Sequence, residues 1–169
     1  MYQTQSIQQI PMKKKIFIIL LLILVAIQFV QPKKNKTSAA QPNDIGIAYS
    51  TPDDVNVILR KACYDCHSNS TNYPWYASIQ PIAWWLDNHI EEGKRELNFS
   101  EFAAYKTKRK IKKFNEIAGE VTDDEMPLSS YTWIHKDAIL SKEEKNTLIN
   151  WANIMAQKLE QDSLRLVAQ

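Results

Sequence analysis

Glycine is almost missing from this 169-residue chain, with three in all, and no glycine-rich phosphate loop can be assembled from so few. No stretch alternates apolar and polar residues for long enough to build a sheet. Cysteine is equally scarce: the two present lie within four residues of each other, so no disulfide framework is possible. The formal net charge is only +2, and no basic stripe is interleaved with aromatics, which argues against a nucleic-acid partner. No Ser-His-Asp set or paired carboxylate motif stands out, so hydrolytic and phosphoryl chemistry have no support. What remains is rich in Glu, Lys, Gln, Ala and Leu. That composition favours helix, and the length suits one domain with a real core. The expected fold class is all-α.

The N-terminus carries the one long hydrophobic run. Lys13, Lys14 and Lys15 precede fifteen residues, Ile16 to Val30, that are apolar except for Gln28. As a helix the run is about 22 Å long, short of a ~30 Å hydrocarbon core unless lysines snorkel or the bilayer thins. We read residues 1–15 as a cytoplasmic n-region, 16–30 as a membrane anchor or signal helix, and 31–50 as a flexible tether of Pro, Lys, Asn, Thr, Ser and Ala. A small-residue stretch at Thr37-Ser38-Ala39-Ala40 lies far beyond the apolar run, which favours an uncleaved anchor. Lysines flank the run equally, so charge alone does not orient it.

The folded domain is expected over 51–160, with a C-terminal tail at 161–169. Thr51 is placed to cap a helix through Val55, Ile58, Leu59 and Ala62, with Pro52 at its first position and Asp53 and Asp54 at its positive end. A second helix is predicted from Pro81 to Glu92, stopped by Gly93, with Ile82, Trp85, Leu86, His89 and Ile90 on its apolar side. Ser100 is a candidate cap for a short helix through Phe102 and Tyr105. Ile111, Phe114, Ile117, Ala118 and Val121 then recur at helical spacing. Ser141 and Glu144 form a capping box ahead of the stripe Leu148, Trp151, Ala152, Met155 and Leu159.

The chemistry is concentrated in Cys63-Tyr64-Asp65-Cys66-His67. In Cys-x-x-Cys-His, two thiols add to the vinyl groups of a porphyrin and the adjacent imidazole ligates iron axially. Such attachment takes place outside the cytoplasm, in agreement with a targeting segment. A thioredoxin-like pair would sit beside a βαβ pattern that is lacking, a zinc site would need a fourth ligand, and a plain disulfide leaves His67 unexplained.

Together with Tyr73-Pro-Trp-Tyr76, Pro81-Ile-Ala-Trp84, His89-Ile-Glu-Glu-Gly93, Leu97-Asn-Phe-Ser100, Met126-Pro127, Leu140-Ser-Lys-Glu-Glu144 and Trp151, the motif makes residues 52–152 resemble the small bacterial haem-binding domains built on a c-type cytochrome plan. The resemblance implies a cytochrome c-like helical domain and one covalent haem c. It says little of the redox partner.

His67 is the proximal ligand candidate. Met126 is the first candidate for the opposite face of the iron, because it lies in a loop, precedes a stiffening proline and matches where cytochromes c place their axial methionine. His89 is the rival ligand and a pocket residue in its own right. His135 falls in a polar turn and reads as a surface residue. Trp75, Tyr76, Trp84 and Trp85, with Tyr73, are dense enough to cover a flat apolar ring, although at any one position ordinary core is the simpler reading. The basic run Lys106, Lys108, Arg109, Lys110, Lys112 and Lys113 reads as a solvated face with a lesser claim to docking an acidic partner.

The expected function is single-electron transfer by a haem c domain facing the periplasm from a single-pass anchor in a bacterial inner membrane, serving redox partner proteins as a carrier and not as a substrate-turning enzyme. One rival is a haem-based sensor or peroxidase-like protein with an open or displaceable sixth position. The other is a thiol-disulfide oxidoreductase using Cys63 and Cys66.

Overall fold

Between Pro11 and Gln28 neither proline nor glycine interrupts the chain, and this stretch forms the first helix, α1 (Met12–Ile27). The computed structural model describes residues 11–167 and is all-helical over them, with no strand. Residues 1–10 of the expected n-region and residues 168–169 of the expected tail lie outside the described residues. Two units are formed, residues 11–33 with 74–87 and residues 34–73 with 88–167.

The first unit consists of α1, a 3₁₀ turn at Trp75–Ser78 and the start of α5 (Ile82–Glu96). Gln28, the one polar residue of the apolar run, pairs reciprocally with Gln80. Its Oε1 accepts the Gln80 backbone N–H at 2.9 Å, and its Nε2 donates to the Gln80 carbonyl at 3.2 Å. Buried Gln80 in turn donates to the Val30 carbonyl at 2.7 Å. The expected anchor needs correction in one respect. Helical geometry ends at Ile27, so α1 is about 24 Å long. Among the described residues no helix is long and apolar enough to cross a membrane.

The second unit holds α2 (Ile45–Ala48), α3 (Asp53–Ala62), α4 (Tyr64–His67), the end of α5, a 3₁₀ turn at Phe99–Ala104, α6 (Thr107–Thr122), α7 (Ser129–Thr132), a 3₁₀ turn at Lys136–Ala138, and α8 (Lys142–Val167). Ordered structure begins inside the segment read as a tether. The Asp44 carboxylate caps α2, accepting from the Gly46 N–H, and Ile45 is fully buried. Thr51 does not cap α3, because its hydroxyl turns back to the Ile45 carbonyl at 3.1 Å. Asn98, not Ser100, caps the Phe99–Ala104 turn, accepting from the Ser100 N–H at 3.0 Å. The capping box on α8 is as the sequence predicts, with Ser141 N–H to Glu144 Oε2 at 2.8 Å and Glu144 N–H to Ser141 Oγ at 3.2 Å.

The core sits where α6 packs along α8 and α8 meets α3. Phe114 is its hub, edge-on to Trp151 (5.3 Å between centroids), Phe102 (4.8 Å) and Tyr49 (6.0 Å). Phe114→Ala therefore leaves a void among rigid aromatic rings. It is expected to cost about 3–5 kcal/mol of unfolding free energy, measured by urea denaturation against the parent chain.

Candidate haem site

The five-residue motif is a tight helical turn. α3 delivers Cys63, whose N–H closes onto the Leu59 carbonyl at 2.9 Å, and the His67 N–H closes onto the Cys63 carbonyl at 3.0 Å. The two residues between the cysteines anchor the turn from opposite sides. Tyr64 is buried, stacks on Phe99 (5.2 Å, 12°) and donates its hydroxyl to Asp44 Oδ1 at 2.9 Å. Asp65 accepts from the Tyr131 hydroxyl at 2.8 Å and the Asn72 N–H at 3.1 Å, while its carbonyl takes the Thr71 hydroxyl at 2.6 Å.

Gly93 does not stop a helix. α5 continues through it to Glu96, and the α-carbon passes so close to the motif that an added Cβ would lie 2.8 Å from the Cys66 carbonyl oxygen. This contact allows His67 to reach the end of α5. Its Nδ1 lies 2.9 Å from the Gly93 carbonyl and 3.0 Å from the Leu97 carbonyl. Carbonyl oxygens only accept, so Nδ1 carries the proton and Nε2 keeps its lone pair. Burial holds the imidazole pKa below its ordinary value, against the opposing pull of those two carbonyls. The ring is thus neutral at physiological pH, with one nitrogen ready to ligate a metal and the other oriented by backbone, as metal-binding histidines require.

Both cysteines are free thiols. Burial, with the neighbouring Cys66, pushes Cys63 up to about 12, and burial with Asp65 pushes Cys66 up to about 11. Neither is the activated thiolate that disulfide exchange needs.

Two adjoining cavities, about 300 and 260 Å³, open beside the motif, and Cys63, His67, Glu96, Met126 and Pro127 line both. Met126 is placed there by the way α6 ends. Asp124 takes a left-handed conformation (φ 61°), and the N–H groups of Glu125 and Met126 fold back onto the Glu120 carbonyl at 3.0 and 3.1 Å. Cys66 and His89 line the larger cavity, with Tyr131. His135 lies against Tyr131, stacked at 4.4 Å. Every lining residue belongs to the second unit, whereas Trp75, Tyr76, Trp84 and Trp85 are carried by the first.

Four contributors were not singled out by sequence reasoning: Tyr64 and Asp65, whose positions in the motif admit any residue; Tyr131, which no spacing marks; and Lys113. The run containing Lys113 reads as a solvated face, yet Lys113 is buried, lines the smaller cavity and holds Glu116 at 2.6 Å and Glu96 at 3.6 Å. Its position four residues before buried Ile117 was the available signal. Among the described residues, Lys113 is the one lysine or arginine lining either cavity. The donor set fits an iron porphyrin: two protonated thiols and a neutral imidazole on one turn, a thioether lining the same space, and a cation for a carboxylate side chain.

A family model described as "Haem-binding domain" matches residues 22–154. No curated protein and no solved structure matches the chain.

Two outcomes are expected of this geometry. Gly93→Ala forces the motif away from α5 and should cost about 1–3 kcal/mol, with a matching fall in haem content per chain by absorbance. In the haem-free protein, Cys63 and Cys66 bind their protons more tightly folded than unfolded, where the ordinary value is 9.0. Their contribution to stability is then fully present below pH 9 and lost as pH rises toward 11 and 12. His67, shifted downward from 6.5, acts at the other end, losing its contribution as pH falls below 6.5. A urea midpoint measured against pH should decline on both sides.

Proposed function

The chain belongs to the haem-binding domain family, and from that premise we propose that it carries one haem c, attached covalently, and passes single electrons at the non-cytoplasmic face of a membrane. The observation that carries this reading is the state of His67: neutral, with Nδ1–H committed to two carbonyls and Nε2 available, on the same turn as two free thiols. Cys63 and Cys66 would hold the group through thioethers and His67 would ligate the iron. When bound, haem supplies a one-electron ferrous–ferric couple.

Met126 is the proposed sixth ligand, because it lines both cavities with His67, whereas His89 lines one. A thioether in that position raises the reduction potential relative to a second histidine, which suits a carrier. Lys113 would meet a propionate carboxylate, in exchange for Glu96 or Glu116. The Asp65–Tyr131 hydrogen bond would keep the attachment turn from shifting as charge changes on the iron. The raised thiols weigh against the rival thiol-disulfide oxidoreductase. The sensor or peroxidase reading differs only in an open or displaceable sixth position. Redox partner proteins are the proposed partners. The apolar run would hold the domain at a bacterial inner membrane, facing the periplasm, with flanking lysines reaching the headgroups at both ends of a short helix.

Expression in a host that matures c-type cytochromes tests the reading. Haem should stay with the polypeptide after acid extraction, and the ferric protein should show a weak near-infrared methionine-to-iron band. Met126→Ala should abolish that band and lower the midpoint potential while leaving haem attached. A colourless wild-type protein would overturn the proposal. Haem without the band, with a spectrum that shifts on adding a small ligand, would favour the sensor or peroxidase reading.

A further inference from the structure

The aromatic residues carried by the first unit present a surface of their own. Within the first unit, Trp75 is 82% exposed and Phe29 84%, and Ile79, Ile82, Trp84 and Trp85 are each at least two-fifths exposed. So many exposed apolar and indole side chains in one short unit are uncommon where a surface faces only water. Its location is fixed. The Gln28–Gln80 pair, the Gln80 bond to the Val30 carbonyl and the Gln31 Nε2 bond to the Ser78 carbonyl (3.1 Å) tie the C-terminal end of α1 to the segment carrying the aromatics. α1 has no buried residue, its apolar side chains being exposed on every face. An all-round apolar helix needs lipid or a protein core, and the first unit provides no such core.

We propose that this end of the first unit is a lipid-contacting surface. In it Trp75, Trp84 and Trp85 lie at the headgroup level of the bilayer into which α1 inserts, with Phe29, Ile79 and Ile82 reaching the acyl boundary. Tryptophan suits that depth because its ring is apolar and its N–H hydrogen-bonds to carbonyl and phosphate oxygens. Lys33 lies four residues after Phe29 in the sequence, and its ammonium complements anionic headgroups. A helix of 16 residues, too short by itself, gains depth from an apolar collar at its outer end. The inference rests on the membrane reading above, and commits to lipid, not haem, as what covers these rings.

The full-length haem-loaded chain is reconstituted into 3:1 phosphatidylcholine–phosphatidylglycerol vesicles, floated on a density gradient and excited at the indole band. The reconstitution is repeated with lipids brominated near the glycerol or deep in the chain. Co-flotation with stronger quenching by the shallow bromines is expected. A chain carrying Trp75→Ala, Trp84→Ala and Trp85→Ala should still float but lose that quenching. Trp75→Ala alone, at the most exposed of the three sites, should lose a measurable share of it, and serves if the triple variant does not fold. A chain that floats with indoles untouched by either bromine overturns the inference and leaves the membrane reading standing. Because haem dims nearby indoles by energy transfer, the comparison is repeated on the haem-free chain, where quenching no stronger from shallow than from deep bromines also overturns the inference. A chain that does not float overturns the membrane reading and this surface with it.

Discussion

His67 reaches the last turn of α5 with Nδ1 at hydrogen-bonding distance from both the Gly93 and Leu97 carbonyls, and the arrangement of the whole site follows from that bond. A helix end leaves carbonyls unsatisfied and concentrates partial negative charge, and an imidazole N–H meets both needs. In doing so it fixes its own tautomer. The side chain that completes a helix terminus is thereby left with a lone pair on Nε2. Gly93 makes the bond possible, since any side chain there would collide with Cys66.

The rest of the second unit holds this contact in place. Tyr64 and Asp65 fasten the motif to Asp44 on one side and Tyr131 on the other. The aromatic hub around Phe114 locks α6 to α8, and the fold-back after α6 sets Met126 over the same cavities. The cysteine-histidine turn and the Met126 loop therefore come from well-separated segments of the sequence and depend on one core. Burial that keeps His67 neutral also keeps both thiols protonated. This environment suits metal ligation and thioether formation far better than thiolate chemistry.

Burial also explains where a charge run misleads. Five of the six cations in the basic stretch are at or near the surface, but Lys113 turns inward with carboxylates of α5 and α6 around it. A buried ammonium is costly without partners, and Glu96 and Glu116 supply them at the edge of the smaller cavity.

Local chemistry made much of this protein legible in sequence. Helix-favouring composition, the capping box before α8, the stripes of α6 and α8 and the Cys-x-x-Cys-His spacing each depend on residues a few positions apart, so sequence alone determined the fold class and the position of the cysteine-histidine turn. Tertiary structure decided the rest. It made Gly93 a point of close approach instead of a helix stop, turned Lys113 inward, placed a short helix capped by Asp44 inside the expected tether and ended the apolar helix at Ile27. It also carried Trp75, Tyr76, Trp84 and Trp85 in a different unit from His67. Each of these turns on contacts between segments tens of residues apart, such as Gln28 with Gln80 and His67 with Leu97. Such contacts depend on shape and burial, which no local pattern encodes.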